Sequence, residues 1–379
     1  MYNNSPLVSV FIPYYNDEKF LKEAIESVLN QTYENFELIL LNHATTDNCR
    51  EIAHSYNDKR IVHIDMEKNY GAGGGMLFEQ FLKIAQGKYL KTFCADDIMK
   101  KDCLSELVNF MENNQDKDFA FCDVEYVNEN AKSLNDSWFN SRDGFILGRS
   151  EIEELKAFSR GISHLPYIGA IIKKEALKDY NPDKVIIMLF DMSIWVYLLS
   201  NGKKIGYINK KLLNYRIHSE QVSSAYNMML AGKRSFFEFV SYINLFEKIS
   251  DVDTINFVFD LSGKMELKKG EEKYIPFVVD WFYLNNNFGS SPVYCFNKIS
   301  QMLENEVMSN EIKERFDYDI ENLRKSYSLI NLDVGAFSPF PNPKHIGARR
   351  LAFLFFRQIW NILKRRKGRK GECSGGYSL

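Results

Sequence analysis

Over its first hundred residues the chain alternates short β-branched apolar runs with stretches whose apolar residues recur every three to four positions. "LVSVFI" (7–12) has the length and composition of a buried strand. After Pro13, "NDEKFLKEAIESVLNQ" places Phe20, Leu21, Ala24, Ile25, Val28 and Leu29 on one helical stripe. Asn16 is suited to cap that helix, and Asp17 and Glu18 suit its positive end. "FELILL" (36–41) predicts a second strand, followed by a helix through Tyr56 that Thr46 or Asp47 can cap. "RIVHID" (60–65) predicts a third strand. A glycine-rich loop, a helix ending near Gly87 and a strand running into Cys94 complete the set.

This strand–helix alternation argues for an α/β fold with a mostly parallel sheet covered by helices. Ligands of such sheets bind beyond the carboxyl ends of the strands. Pro13–Asn16, Asn42–Asp47 and Asp96–Asp97 all fall there and are expected to meet on one edge. Further on, "DFAFCDVEYV" (118–127) reads as a strand, 131–150 as an irregular connection and "SEIEELKAFS" as a helix leading into the apolar "YIGAIIKKEAL". Residues 188–223 predict a helix that starts at Asp191, then two strands. The first domain is expected to span 1–225, followed by an aromatic-rich helical region, 226–345, and a basic amphipathic tail, 346–379.

Composition narrows the function. The chain has 379 residues, 45% apolar and 26% charged, which is enough for about two soluble domains. A formal net charge of −2 gives no overall field for nucleic acid. Six scattered cysteines without a C-x-x-C pair predict free thiols in a reducing compartment. "MYNNSPLVSVFIPYYN" lacks the charged and apolar regions of a signal peptide, and no apolar run reaches bilayer-spanning length. A cytoplasmic protein is expected. One segment modifies that picture: "ARRLAFLFFRQIWNILKRRKGRK" (348–370) joins a short apolar run to a Lys/Arg cluster. It suits a helix lying on an anionic membrane surface, or a terminal helix packed on its own domain with a solvated basic tail.

Four features carry candidate chemistry. In "KYLKTFCADDIMKKD" an apolar run ends in Asp96 and Asp97. They either cap the next helix, with Asp96 as N-cap, or hold a hard divalent cation such as Mn²⁺ or Mg²⁺ against a diphosphate. "NYGAGGGM" (69–76) follows a strand, but G-x-G-x-x-G fails at Met76, so a nicotinamide loop is disfavoured. Asp191 in "LFDMSIW" is either a helix cap or a general base in a partly dry pocket. His218 in "YRIHSEQVS" is either structural or a ligand.

The segments "VSVFIPYYNDEKFLKEAIESVLNQTYENFELILL", "TTDN", "EKNYGAGGG", "AQGKYLKTFCADD", "FDMSIW" and "YRIHSEQVS" together resemble the family 2 glycosyltransferases over about residues 6–225. The resemblance implies a GT-A fold and an inverting, metal-dependent transferase using a nucleotide-sugar donor. It places Pro13, Tyr15 and Asn16 along the base and ribose, Asp96 near the ribose, Asp97 on the metal, Asp191 as catalytic base, and His218 near the metal or diphosphate. Two departures stand out. Asn42 and His43 occupy the position of the usual paired acids after the second strand, one of which binds the nucleobase; an Asn amide and an imidazole can each donate or accept there. Glycines and Met76 follow Asn69-x-Gly71 where an arginine is common. The expectation is transfer of a sugar to an acceptor hydroxyl of a glycan or lipid-linked substrate, in bacterial cell-surface polysaccharide or glycolipid synthesis. A sugar nucleotidyltransferase and a nucleotide-sugar-binding protein that has lost turnover are the alternatives.

Overall fold

A computed structural model describes residues 5–70, 74–141, 147–182, 190–221, 241–286 and 291–329. The chain divides into a compact unit, Met1–Pro339, and a second, Phe340–Leu379; every described residue belongs to the first. The segment 348–370, the expected boundary near 225 and residues 71–73 of the glycine cluster lie outside the described residues.

Among the described residues, nine strands form one sheet: β1 (Val8–Tyr14), β2 (Phe36–Asn42), β3 (Ile61–Asp65), β4 (Tyr89–Thr92), β5 (Ile98–Met99), β6 (Phe119–Val127), β7 (Ser133–Ser137), β8 (Ala170–Lys173) and β9 (Ile205–Arg216). Their spatial order is β3-β2-β1-β4-β8-β6-β9-β5, with β7 paired to β6. The first four run parallel, as the alternation predicted. The other half is mixed: β8 is antiparallel to β4 and β6, β9 is parallel to β6, and β5 is antiparallel to β9.

Strand alternation sorts the core into two layers. Val8, Val10 and Ile12 of β1 pack with Leu21, Ala24, Ile25 and Val28 of helix α1 (Leu21–Leu29), and with helices α2 (Cys49–His54) and α4 (Cys103–Asn113). Phe11, Ile39 and Leu41 point to the other face, against α3 (Gly74–Ile84) and α7 (Phe190–Ser200). Between α4 and α7 lie α5 (Trp138–Ser141) and α6 (Glu151–Ser159). The second layer continues into a helical region: α8 (241–247), α9 (Val252–Val258), α10 (Ile275–Asn285), α11 (Ser291–Glu304), α12 (Glu306–Phe316) and α13 (Ile320–Leu329). Among the described residues, no helix is long and apolar enough to cross a membrane.

Proline inside β1 is tolerated for a topological reason. Phe11 gives its carbonyl to Phe93 on the β4 side, and Pro13 faces the same side two residues later, after the β1–β4 register has ended. No partner there needs its missing N–H.

Several local expectations change. Asn16 does not cap α1: it is left-handed (φ 56°), and the main-chain carbonyl of Asp17 receives the N–H groups of Phe20 and Leu21. The 131–150 connection contains β7 and α5. The two strands expected after α7 are one, β9, whose register on β6 shifts near Asp123. Helix α6 starts as its sequence predicts, with a Ser150–Glu153 capping box.

Candidate functional site

The carboxyl ends of β1, β2 and β3 are stitched together by side chains. Asn16 Oδ1 accepts from the Thr46 N–H (2.9 Å) and from the Thr45 hydroxyl (3.0 Å). The N–H of Asn16 donates to Thr45 Oγ1, and that of Glu18 to Asp47 Oδ2 (3.0 Å). Asp47 also accepts from the Cys49 N–H (3.0 Å) at the start of α2, although the N-cap position falls to Asn48, not to Thr46 or Asp47 as the sequence suggested. The left-handed turn at Asn16 is thus held by the β2–α2 loop, which fixes where Tyr15 stands.

Asn42 and His43 are both inside. The Asn42 amide donates to Asp65 Oδ1 (2.8 Å) at the end of β3, and its oxygen accepts from the Thr45 N–H (2.8 Å). That amide is therefore occupied with the protein's own groups. Asp65 carries the negative charge on this edge, and Arg50 (3.0 Å) and His54 (3.3 Å) lie against it. Asn42, Arg50 and His54 together hold its carboxyl below the usual range against the opposing effect of burial. His43 Nε2 accepts the Tyr70 N–H (2.9 Å), which requires the ring proton on Nδ1. Burial pushes its pKa down, so the imidazole is neutral at pH 7. Its ring lies 6.3 Å from both Tyr15 and Tyr70, each of which is 41% exposed. The arrangement is two accessible phenol rings flanking a neutral donor–acceptor ring.

The second constellation is the turn after β4. Asp96 and Asp97 do not start a helix: β5 follows them, and α4 begins only at Cys103 with Asp102 in the N-cap position. The cap reading of this pair is therefore overturned. The two acids differ sharply. Asp97 is 1% exposed; its Oδ1 accepts the Arg216 N–H (2.8 Å), while Oδ2 has no hydrogen-bond partner. Burial, then the neighbouring Asp96, pushes the Asp97 carboxyl well above the usual carboxylate range. Asp96 is partly exposed and lies 3.0 Å from His218 Nε2. One oxygen each of Asp96 and Asp97 and the Cys94 thiol lie within 4.8 Å of one another.

Arg216, at the end of β9, holds this turn from behind. Its guanidinium donates to the carbonyls of Asp96 (2.7 Å) and Glu129 (2.6 Å), pairs with Glu23, and lies over the Phe20 ring, on which His218 also packs. Asp17 joins the two constellations. Burial, and to a smaller degree Asp96 and Asp47, pushes its carboxyl up to about 6.

Asp191 is in the first turn of α7 and accepts the Met192 N–H (2.8 Å). Its neighbour Phe190 packs on Gly74 of α3 and on Tyr167, ring centroids 6.0 Å apart. The Tyr167 carbonyl accepts from the Thr92 hydroxyl (2.6 Å), two residues before Cys94. The Tyr167 phenol, pushed up mainly by burial, also feels both the Cys94 thiol and the Asp191 carboxylate. One side chain thus relates the acid at the start of α7 to the acid turn.

Pro13, Tyr15, Asn16, Asn42 and His43 therefore gather at the first constellation, and Asp96, Asp97 and His218 at the second. Sequence reasoning missed Asp65, Tyr70, Arg216 and Cys94. Asp65 was within reach of the rule that found the others, because it ends the third strand. Arg216 carried no such signal, since its role depends on three partners distant in sequence.

Residues 9–180 match the family model "Glycosyl transferase family 2". An uncharacterized glycosyltransferase, MJ1057, of Methanocaldococcus jannaschii is 33% identical over 56% of this chain and 72% of its own length. The putative teichuronic acid biosynthesis glycosyltransferase TuaG of Bacillus subtilis is 28% identical over 62% of this chain and 88% of its own. Among solved structures, S. aureus TarS 1-349 in complex with UDP-GlcNAc aligns over 85% of this chain and 91% of that one, with 18% identity and a TM-score of 0.47.

Proposed function

The chain belongs to glycosyl transferase family 2, with a GT-A-type fold, and we propose that it moves a sugar from a nucleotide-sugar donor to an acceptor hydroxyl with inversion at the anomeric carbon. The observation that carries this reading is the convergence of Asp96, Asp97 and His218 at the strand ends, beside the Tyr15–His43–Tyr70 group. The nucleoside lies along Pro13, Tyr15 and Asn16, and its base against the two phenol rings. Base discrimination falls to the Nδ1–H of His43, whose Nε2 is taken by the Tyr70 N–H, and to Asp65, whose side chain stays 35% exposed beside Arg50 and His54; the Asn42 amide is engaged at both its nitrogen and its oxygen.

The donor set at the turn fits a divalent cation: two carboxylates, one of them with a buried oxygen that no protein group satisfies and the other held by the His218 imidazole. The difference in burial between the two acids supports a reading in which both face the cation, Asp96 from the more open side. Asp96, partly exposed and paired with His218, and the buried Asp97 would together hold Mn²⁺ or Mg²⁺. Such a cation, when bound, neutralises charge developing on the departing diphosphate. Asp191 accepts the proton of the acceptor hydroxyl, whose oxygen bonds to the anomeric carbon as the bond to the diphosphate breaks. Arg216 keeps the turn in place through the carbonyl of Asp96.

The TuaG relative supports a role in cell-surface polysaccharide synthesis. The apolar-then-basic sequence 348–370 supports work at an anionic membrane surface on a glycan or lipid-linked acceptor. The test is a panel of nucleotide sugars incubated with Mn²⁺, read as release of nucleoside diphosphate. Metal-dependent release from one donor is expected. Release of pyrophosphate from a nucleoside triphosphate plus a sugar phosphate, with no turnover of any nucleotide sugar, would overturn the reading.

A further inference from the structure

We infer that Cys94 is a third ligand at the Asp96–Asp97 turn, so that this site takes a borderline or soft divalent cation, such as Zn²⁺ or Cd²⁺, ahead of the hard Mg²⁺. The inference rests on the proposed reading that the turn holds a cation. Three observations carry it. The Cys94 sulfur and one carboxylate oxygen of each acid lie within 4.8 Å of one another. Zinc bonds of about 2.3 Å to sulfur and 2.0–2.2 Å to oxygen, set at the tetrahedral angle, bring ligand atoms to roughly 3.6 Å from one another, so the cluster closes by up to about 1 Å as the ion binds. Asp97, almost wholly buried, contributes an oxygen that no protein group satisfies.

The third observation sets Cys94 apart from the other thiols. Among the described cysteines it alone is partly exposed. Cys49 is buried and already committed, accepting the Asp17 N–H (3.2 Å) and donating to Asp47 (3.3 Å). Cys103, Cys122 and Cys295 are buried as well.

The chemistry then sets the metal. Mg²⁺ demands an octahedron of oxygens and sheds its water reluctantly, whereas a thiolate favours softer ions. The thiol proton leaves to solvent as the sulfur–metal bond forms.

The experiment titrates the full chain with Cd²⁺ and reads the ultraviolet thiolate-to-Cd²⁺ charge-transfer band, with Mn²⁺ as competitor. The wild-type protein is expected to give a saturable band that Mn²⁺ reverses. C94S loses the band and binds Cd²⁺ about ten-fold more weakly or worse. C94D also loses it and binds Mg²⁺ more tightly than wild type, which keeps the test decisive if C94S folds poorly. A band that persists in C94S or in D96N overturns the inference. Mn²⁺ binding, seen by electron paramagnetic resonance, that Cd²⁺ displaces without any band also overturns it, while leaving the cation reading intact. If neither ion binds, both fall together.

Discussion

Among the acids buried in the described residues, Asp280 and Asp97 meet the resulting electrostatic problem differently. In the helical region Asp280 of α10 is 0% exposed, with its carboxyl pushed up to about 7 by burial and by Glu247. Lys298 of α11 lies 3.2 Å from it and pairs also with Glu247, so the cluster carries its own cation. At the sheet edge Asp97 is equally buried and its pKa is raised for the same reasons, burial and a neighbouring acid. Here a guanidinium is at hand, but it is turned away. Arg216 binds two carbonyls and Glu23, and offers Asp97 only its backbone N–H. An uncompensated buried acid is costly, so it marks a position kept for something other than stability. Lys298 pairs directly with its acids, whereas the buried Lys91 gives its ammonium to the carbonyls of Thr92 and Ile168 and reaches Asp97 only through space, which leaves that acid open to an external cation.

Substitutions can break this contrast. The largest effect is expected at Asp191, where Asp191→Asn should lower turnover by about 10²–10⁴-fold while leaving donor affinity near wild type. Single-turnover rates beside calorimetric donor binding check it; a parallel loss of both would assign Asp191 to the donor instead. Lys298→Met should cost about 3–5 kcal/mol, because Asp280 and Glu247 lose their cation. Urea unfolding measures that loss, and donor binding by the folded variant should be unchanged.

Asp280 also predicts a direction with pH. Its native pKa, about 7, lies above its unfolded value, so the native state binds more protons between roughly pH 4 and 7. Stability should therefore fall as pH rises through that window and level off above it, by roughly 4 kcal/mol at most. Asp280→Asn should flatten that slope; an unchanged slope would remove Asp280 as its cause. The smallest effect on stability is expected at Asp96. Asp96→Asn removes repulsion from Asp97, so its melting temperature should match or exceed wild type in metal-free buffer. A clear drop would make Asp96 a structural acid.

The parallel half of the sheet was legible because each strand and helix there is specified by a local pattern, and the strand-end rule then placed Pro13–Asn16, Asn42–Asp47 and Asp96–Asp97 together. The β8 strand was not legible: four residues long, it is fixed by partners in β4 and β6 distant in sequence. Asn16 was misread because a capping residue and a left-handed turn residue have the same side chain, and only contact with Thr45 and Thr46 separates them. The two acids were legible, but the difference in their burial was not. Adjacency cannot say which carboxylate faces inward when the deciding contact, the Arg216 N–H, comes from the far end of β9.

Calorimetric titration of the preferred nucleotide sugar, with and without Mn²⁺, against wild type, Asp96→Asn, Asp97→Asn and Asp280→Asn tests the central claim most directly. The account predicts metal-dependent binding in wild type and Asp280→Asn alike, a loss of about 10²-fold in Asp96→Asn and a smaller loss in Asp97→Asn. Wild-type binding that is indifferent to Mn²⁺, or an Asp96→Asn protein that retains full metal-dependent affinity, would contradict it.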